Sequence, residues 1–89
     1  MRIPILRQGN NTLVTSFQDD LTDRDALDLQ TDLLVLIEKI GSAAVVMDVS
    51  SMRSIDSYQA KMLSETAAMA RLLGCKVILS GVQPMVAIS

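Results

Sequence analysis

The sequence predicts an α/β domain with a mixed, mostly parallel sheet and helices packed on it, in the order β-β-α-β-α-β-(α). Three observations carry this. A short unbroken apolar run, Ala43–Met47, and a second apolar run, Cys75–Leu79, interrupted only by Lys76, each follow a longer segment whose apolar residues recur at helical spacing. A glycine, Gly41 or Gly74, stands at each helix-to-run junction, the usual C′ residue of a helix. Residues 1–17 hold two short β-like segments separated by Gly9-Asn10-Asn11. Two strand–helix–strand units imply right-handed crossovers and parallel pairing.

Ile3–Arg7 and Thr12–Phe17 form the hairpin, with Pro4 suited to an edge strand. Thr22 begins the first helix, and Thr22-Asp23-Arg24-Asp25 has capping-box spacing with Asp in place of Glu. Ala26, Leu29, Leu33, Leu36, Ile37 and Ile40 share one face. Acidic residues gather in the N-terminal half and Lys39 lies in the last turn, as the helix dipole favours. Ala43–Met47, between two helices, reads as a strand buried on both faces. Asp48–Ile55 is the loop after it, with Met52 and Ile55 tucked inward. The second helix runs from about Asp56 to Leu73 and buries Ala60, Leu63, Ala67, Ala70 and Leu73. Cys75–Ser80 is the last strand. Gly81-Val82-Gln83-Pro84 turns, and Pro84 suits the first position of a third helix.

With 89 residues the chain is read as one domain, 1–89. The net charge of −2, without a basic cluster, argues against nucleic acid as a partner. No histidine occurs, which removes Ser-His and Cys-His catalysis and histidine-ligated metals. The single Cys75 rules out an internal disulfide and reads as a small buried residue. No metal or cofactor is expected. Trp is absent, leaving Phe17 and Tyr58 too few for a stacking platform. No apolar stretch is long enough to span a bilayer, so the expectation is a cytoplasmic protein without membrane contact.

The most informative point is Asp56-Ser57, where the loop after a buried strand becomes a helix. Asp and Ser are ordinary capping residues. Ser57 is also a modifiable hydroxyl at a helix N-terminus, where unpaired N–H groups favour an added phosphate. Asp48 resembles the acceptor of a receiver domain, but Ile3–Arg7 lacks the acidic pair that would hold Mg²⁺. It reads instead as an acceptor that fixes the following loop. Ser57 with Lys61 one turn on is a conceivable Ser-Lys pair, though Lys61 reads as a solvated helix residue. Gly81-Val82-Gln83-Pro84 lacks the spacing and lysine of a phosphate loop. Met47, Met62 and Met69 read as core filler, whereas Met52 and Met85, near loops, are better placed to touch a partner. Ser50, Ser51 and Ser54 read as loop hydroxyls bonded to local backbone.

The run from Asp48 through Asp56-Ser57-Tyr58-Gln59-Ala60-Lys61 resembles the signature of STAS domains, the anti-sigma-factor antagonist family. Gly74–Pro84 resembles the fourth strand and following turn of that family. Ile3-Pro4-Ile5-Leu6 is similar to its RsbS-type members, the scaffold proteins of the bacterial stressosome. The resemblance covers essentially the whole chain. It implies the STAS fold, with a completed third helix, a further strand and a final helix expected beyond Ser89.

It also implies a non-enzymatic scaffold that sequesters a serine switch kinase, together with sensor-bearing STAS paralogues, in a large self-associating complex. Phosphorylation of Ser57 would release the kinase, which then activates a downstream serine phosphatase. Asp56, Asp48, Ser51 and Tyr58 would support the phosphosite. The alternative is a conventional antagonist that binds an anti-sigma kinase. Many such antagonists read Asp-Ser-Ser-Gly where this chain reads Asp56-Ser57-Tyr58-Gln59, which favours the stressosome subgroup. A regulatory domain of a transporter is a further alternative, disfavoured by the starting Met1.

Overall fold

The computed structural model describes residues 4–9, 11–18 and 21–82. Its elements are β1 (Ile5–Gln8), β2 (Thr12–Gln18), α1 (Asp23–Ile40), β3 (Ala44–Ser51), α2 (Ser57–Leu72) and β4 (Lys76–Ser80). The sheet order is β1-β2-β3-β4. β1 and β2 pair antiparallel, while β2–β3 and β3–β4 are parallel. The expected order and pairing are thus present. The third-helix start at Pro84 lies outside the described residues, as do Ile3 and Met85.

Both crossovers step the same way across the sheet, so right-handed connections put both helices on one face. The core follows from that. Leu13, Phe17, Val45, Met47 and Val49 point to the helix side and cluster with Leu29, Leu33 and Ile37 of α1. Ala44, Val46 and Asp48, on the opposite side, are only half-buried. The expectation that this strand is buried on both faces is therefore corrected: its burial alternates, because no described element packs on the second face. β3 is also longer than expected. Buried Val49 continues the alternation, and past a register shift in β2 Ser51 pairs with Gln18. Asp48 through Ser51 is thus strand, and only 52–56 is loop.

α1 starts with the expected box. The Asp25 N–H donates to Thr22 Oγ1 (3.0 Å) and the Thr22 N–H to Asp25 Oδ2 (3.4 Å). Hydrogen bonding to the Thr22 side chain, and then the bond from the Thr22 backbone N–H, holds the Asp25 carboxyl below its ordinary pKa. Gly41, at φ 65°, closes the helix in the left-handed conformation that a side chain disfavours. Cys75 is buried as expected and lies 3.9 Å from the Ser42 hydroxyl, which itself donates to the Asn11 and Ala44 carbonyls.

α2 is rotated relative to the expected face. Met62, Thr66 and Ala70 are its buried residues, Leu63 and Ala67 are half-buried, and Ala60 and Leu73 are exposed. Met69, expected in the core, is also exposed. The cause is a polar pair between the helices. Buried Gln30 of α1 donates from Nε2 to Thr66 Oγ1 (3.0 Å), and that hydroxyl donates to the Met62 carbonyl (2.7 Å). Buried polar atoms need partners, so this pair fixes which side of α2 meets α1. Thr66→Val is expected to cost about 1–3 kcal/mol, because the Gln30 amide loses its acceptor. Adding Gln30→Leu should recover most of that loss in urea melts. A double variant less stable than the single would show the pair to be incidental.

Candidate functional site

The junction between β3 and α2 lies at the carboxyl end of the parallel strands, where α/β sheets commonly place their sites. It is held from below. Met52 is fully buried, and its N–H donates to the Val49 carbonyl (3.0 Å). This corrects the expectation that Met52 could touch a partner: it is the plug that anchors the loop, whereas its inward tuck was expected. Ile55 packs against the core as well. Ile55 and Ala60 line one groove beside the helix start, the N′ and N4 positions of a hydrophobic staple.

Asp56 is the N-cap of α2, with extended backbone. Its Oδ1 accepts the Gln59 N–H at 2.7 Å, and Gln59 Oε1 accepts the Asp56 N–H at 3.1 Å. The helical ladder begins with the Ala60 N–H on the Asp56 carbonyl (3.0 Å). Ser57 is the first residue of the helix and is exposed. Tyr58 follows, its ring partly solvated. The N–H groups of Ser57 and Tyr58 precede the ladder and belong to the helix's positive end. The Asp56 carboxylate already takes the third. A fixed cap, a fixed loop and an exposed hydroxyl between them make Ser57 accessible without disturbing the core. Lys61, one turn on, is solvent-exposed and reaches Glu65 at 3.9 Å, as a helix-surface residue does.

Asp48 and Ser51 belong to β3. Asp48 is on the sheet face opposite the helices, paired in register with Ser16 and Ser80. Its Oδ1 accepts the Ser50 N–H at 2.9 Å. That backbone hydrogen bond, with a further one from the Ser50 side chain, holds the Asp48 carboxyl below its ordinary pKa of 3.8. Ser51 is the exposed last residue of β3. The structure therefore gathers Asp56, Ser57 and Tyr58 at one helix end, while Asp48 shapes the strand end that leads into the loop. Two residues were missed by sequence reasoning. Gln59 completes the cap, and its signal was present: Asp56 followed three residues later by Gln is capping-box spacing. Gly81 passes so close to Ser50 and Asp48 that a Cβ would lie 2.5 Å from Ser50 Cβ. No sequence pattern announces such an approach.

Because the folded carboxyl of Asp48 titrates below its unfolded value, its contribution is complete above that unfolded value. It is lost as pH falls through the lowered pKa. Asp48→Asn is thus expected to lower the thermal midpoint at pH 7, with the gap to wild type closing in acid. A gap that is constant from pH 7 to about pH 2 would show that the charge on Asp48 is irrelevant.

Among the described residues no cluster of His, Cys, Asp or Glu could hold a metal ion, and no helix is long and apolar enough to cross a membrane. No curated protein matches the chain. Among solved structures, a serine-to-glutamate variant of Moorella thermoacetica RsbS is 30% identical, with a TM-score of 0.88 over 99% of this chain and 74% of that one. A structure described as the molecular architecture of the stressosome, a signal integration and transduction hub, is also 30% identical (TM-score 0.84, 96% of this chain and 73% of that one). Mglu shares the fold alone, at 19% identity and a TM-score of 0.70 over 92% of this chain and 20% of that one. Residues 4–89 match the STAS domain family model, and with the sheet order, the two same-side helices and the likeness to RsbS this places the chain in the STAS domain family.

Proposed function

We propose that this chain is a non-enzymatic scaffold of a stressosome-type signalling complex, switched by phosphorylation of Ser57. The observation that carries the reading is an exposed serine at the first position of α2, held between a reciprocal cap and a buried loop anchor, in a STAS domain similar to RsbS and stressosome structures. In this reading the domain binds a serine switch kinase and sensor-bearing STAS paralogues while Ser57 is unmodified. The kinase leaves once Ser57 is phosphorylated and acts on a serine phosphatase.

The physics supports a switch that leaves the fold intact. Phosphate adds roughly −1.5 to −2 charges and three strong acceptors. The positive end of α2 accommodates it, while the adjacent Asp56 carboxylate adds its own charge, so the helix tip becomes strongly anionic. A partner packed on neutral Ser57 loses complementarity there. Gln59, locked in the cap where many anti-sigma antagonists carry glycine, and the Tyr58 ring beside it give this tip a different surface from that group's. This favours the scaffold reading over direct anti-sigma binding.

Incubation with the cognate switch kinase and ATP, followed by phosphopeptide mass spectrometry, tests the acceptor. The expected result is phosphate on Ser57 in the wild type and none at that peptide in Ser57→Ala. Phosphate confined to Ser50, Ser51 or Ser54 would overturn the assignment and leave Ser57 a helix-start residue.

A further inference from the structure

The second face of the sheet carries a continuous apolar row. Leu6, Val14, Val46 and Ile78 are register partners across all four strands, so their side chains stand in one line on the side away from α1 and α2. The two ends of the line are open, with Leu6 64% and Ile78 41% exposed. No described element covers it. An apolar row spanning all four described strands is more than scattered surface hydrophobicity and calls for an occupant.

Charge on either side of the row identifies that occupant. Two residues before it along the strands lies Lys76, beside Ala44; two residues after it lies Asp48, beside Ser80. Cation and anion thus flank the apolar line symmetrically. A two-fold axis running along the line exchanges the two flanks and sets each Lys76 over the Asp48–Ser80 end of the other copy. A two-fold axis along the strands would instead face Lys76 with Gln8 and gain nothing. We infer that this face is an isologous interface between two copies of this chain, stacked sheet to sheet through the Leu6–Val14–Val46–Ile78 row with reciprocal Lys76–Asp48 attraction.

The size of the face sets the strength. Four strands and five residues give a patch about 19 Å by about 17 Å. That is smaller than the roughly 800 Å² per partner of a long-lived dimer, so pairing is concentration-dependent and gains strength by repetition within an assembly. The inference rests on the self-association part of the scaffold reading and not on Ser57. Its test involves neither kinase nor phosphate, so the two can fail separately.

Sedimentation equilibrium of the protein from about 10 μM to about 1 mM spans the affinity such an interface supports. Wild type is expected to pass from monomer to dimer in this range. Ile78→Glu, at a partly exposed position, should stay monomeric with an unchanged circular dichroism spectrum. Lys76→Glu and Asp48→Lys should each dimerise at least about fivefold more weakly, the lower end of a coupling of this kind. An equimolar mixture of the two should recover dimer, because both cross-pairs then join opposite charges. A wild-type monomer throughout, or a dimer that Ile78→Glu leaves intact, would overturn the interface. A mixture no tighter than its components would overturn the two-fold arrangement.

Discussion

Gly81→Ala is expected to destabilise the domain by about 2–4 kcal/mol, which for a chain of this size lowers the thermal midpoint by on the order of 10 °C or more. Two costs add. Gly81 has φ +75°, where a side chain costs about 1–2 kcal/mol. Its Cβ would also lie 2.5 Å from Ser50 Cβ and 2.9 Å from Ser50 Cα, so backbone must move. The same movement pulls on the Asp48–Ser50 hydrogen bond, because Asp48 Oδ1 is 3.0 Å from the added atom. Ser50→Gly removes the nearest obstacle and leaves the backbone conformation unchanged, so the double variant should recover part of the loss. A Gly81→Ala protein that melts with wild type would show that the chain leaving β4 does not pass this close to the end of β3.

Met52→Ala is the second large effect. A fully buried methionine truncated to alanine costs about 2–5 kcal/mol, from lost transfer energy and the cavity left behind. The consequence is local as well as global. Met52 is the only fully buried residue of the 52–56 loop, and Ser57 follows that loop directly. Exchange of the Asp56 and Gln59 amide protons should therefore accelerate more than the loss of global stability accounts for. Met69→Ala, on the exposed side of α2, is the control and should change stability by no more than about 0.5 kcal/mol. Equal losses from the two substitutions would remove the anchoring role.

Much of this architecture is written in local signals. Gly41 and Gly74 mark where helices stop, Thr22 and Asp25 where one starts, and the runs around Val45 and Val77 where strands lie. These depend on nearest neighbours in the chain. What was not legible depends on partners far away in sequence. The face that α2 buries is set by Gln30, 36 residues from Thr66, and no periodicity within α2 reveals it. An unbroken apolar run fits both a doubly buried strand and one that alternates, so a second face that no described element covers became visible only once both crossovers fell on the same side. The extension of β3 through Ser51 needed its pairing with Gln18. At the site, Asp56 and Ser57 fell together because they are adjacent in the chain. Asp48, eight positions before Asp56, looked close to Ser57 in sequence yet occupies the opposite face of the sheet.

The central claim is that charge at Ser57 governs partner release without unfolding the domain. The most direct measurement compares kinase binding by unmodified protein and by protein carrying phosphoserine incorporated at position 57 during synthesis, using calorimetry at one salt concentration. The account predicts binding weaker by about 5- to 150-fold, the range of a 1–3 kcal/mol coupling, with the thermal midpoint unchanged within about 4 °C. Equal affinity of the two forms, with the fold intact in both, would contradict it.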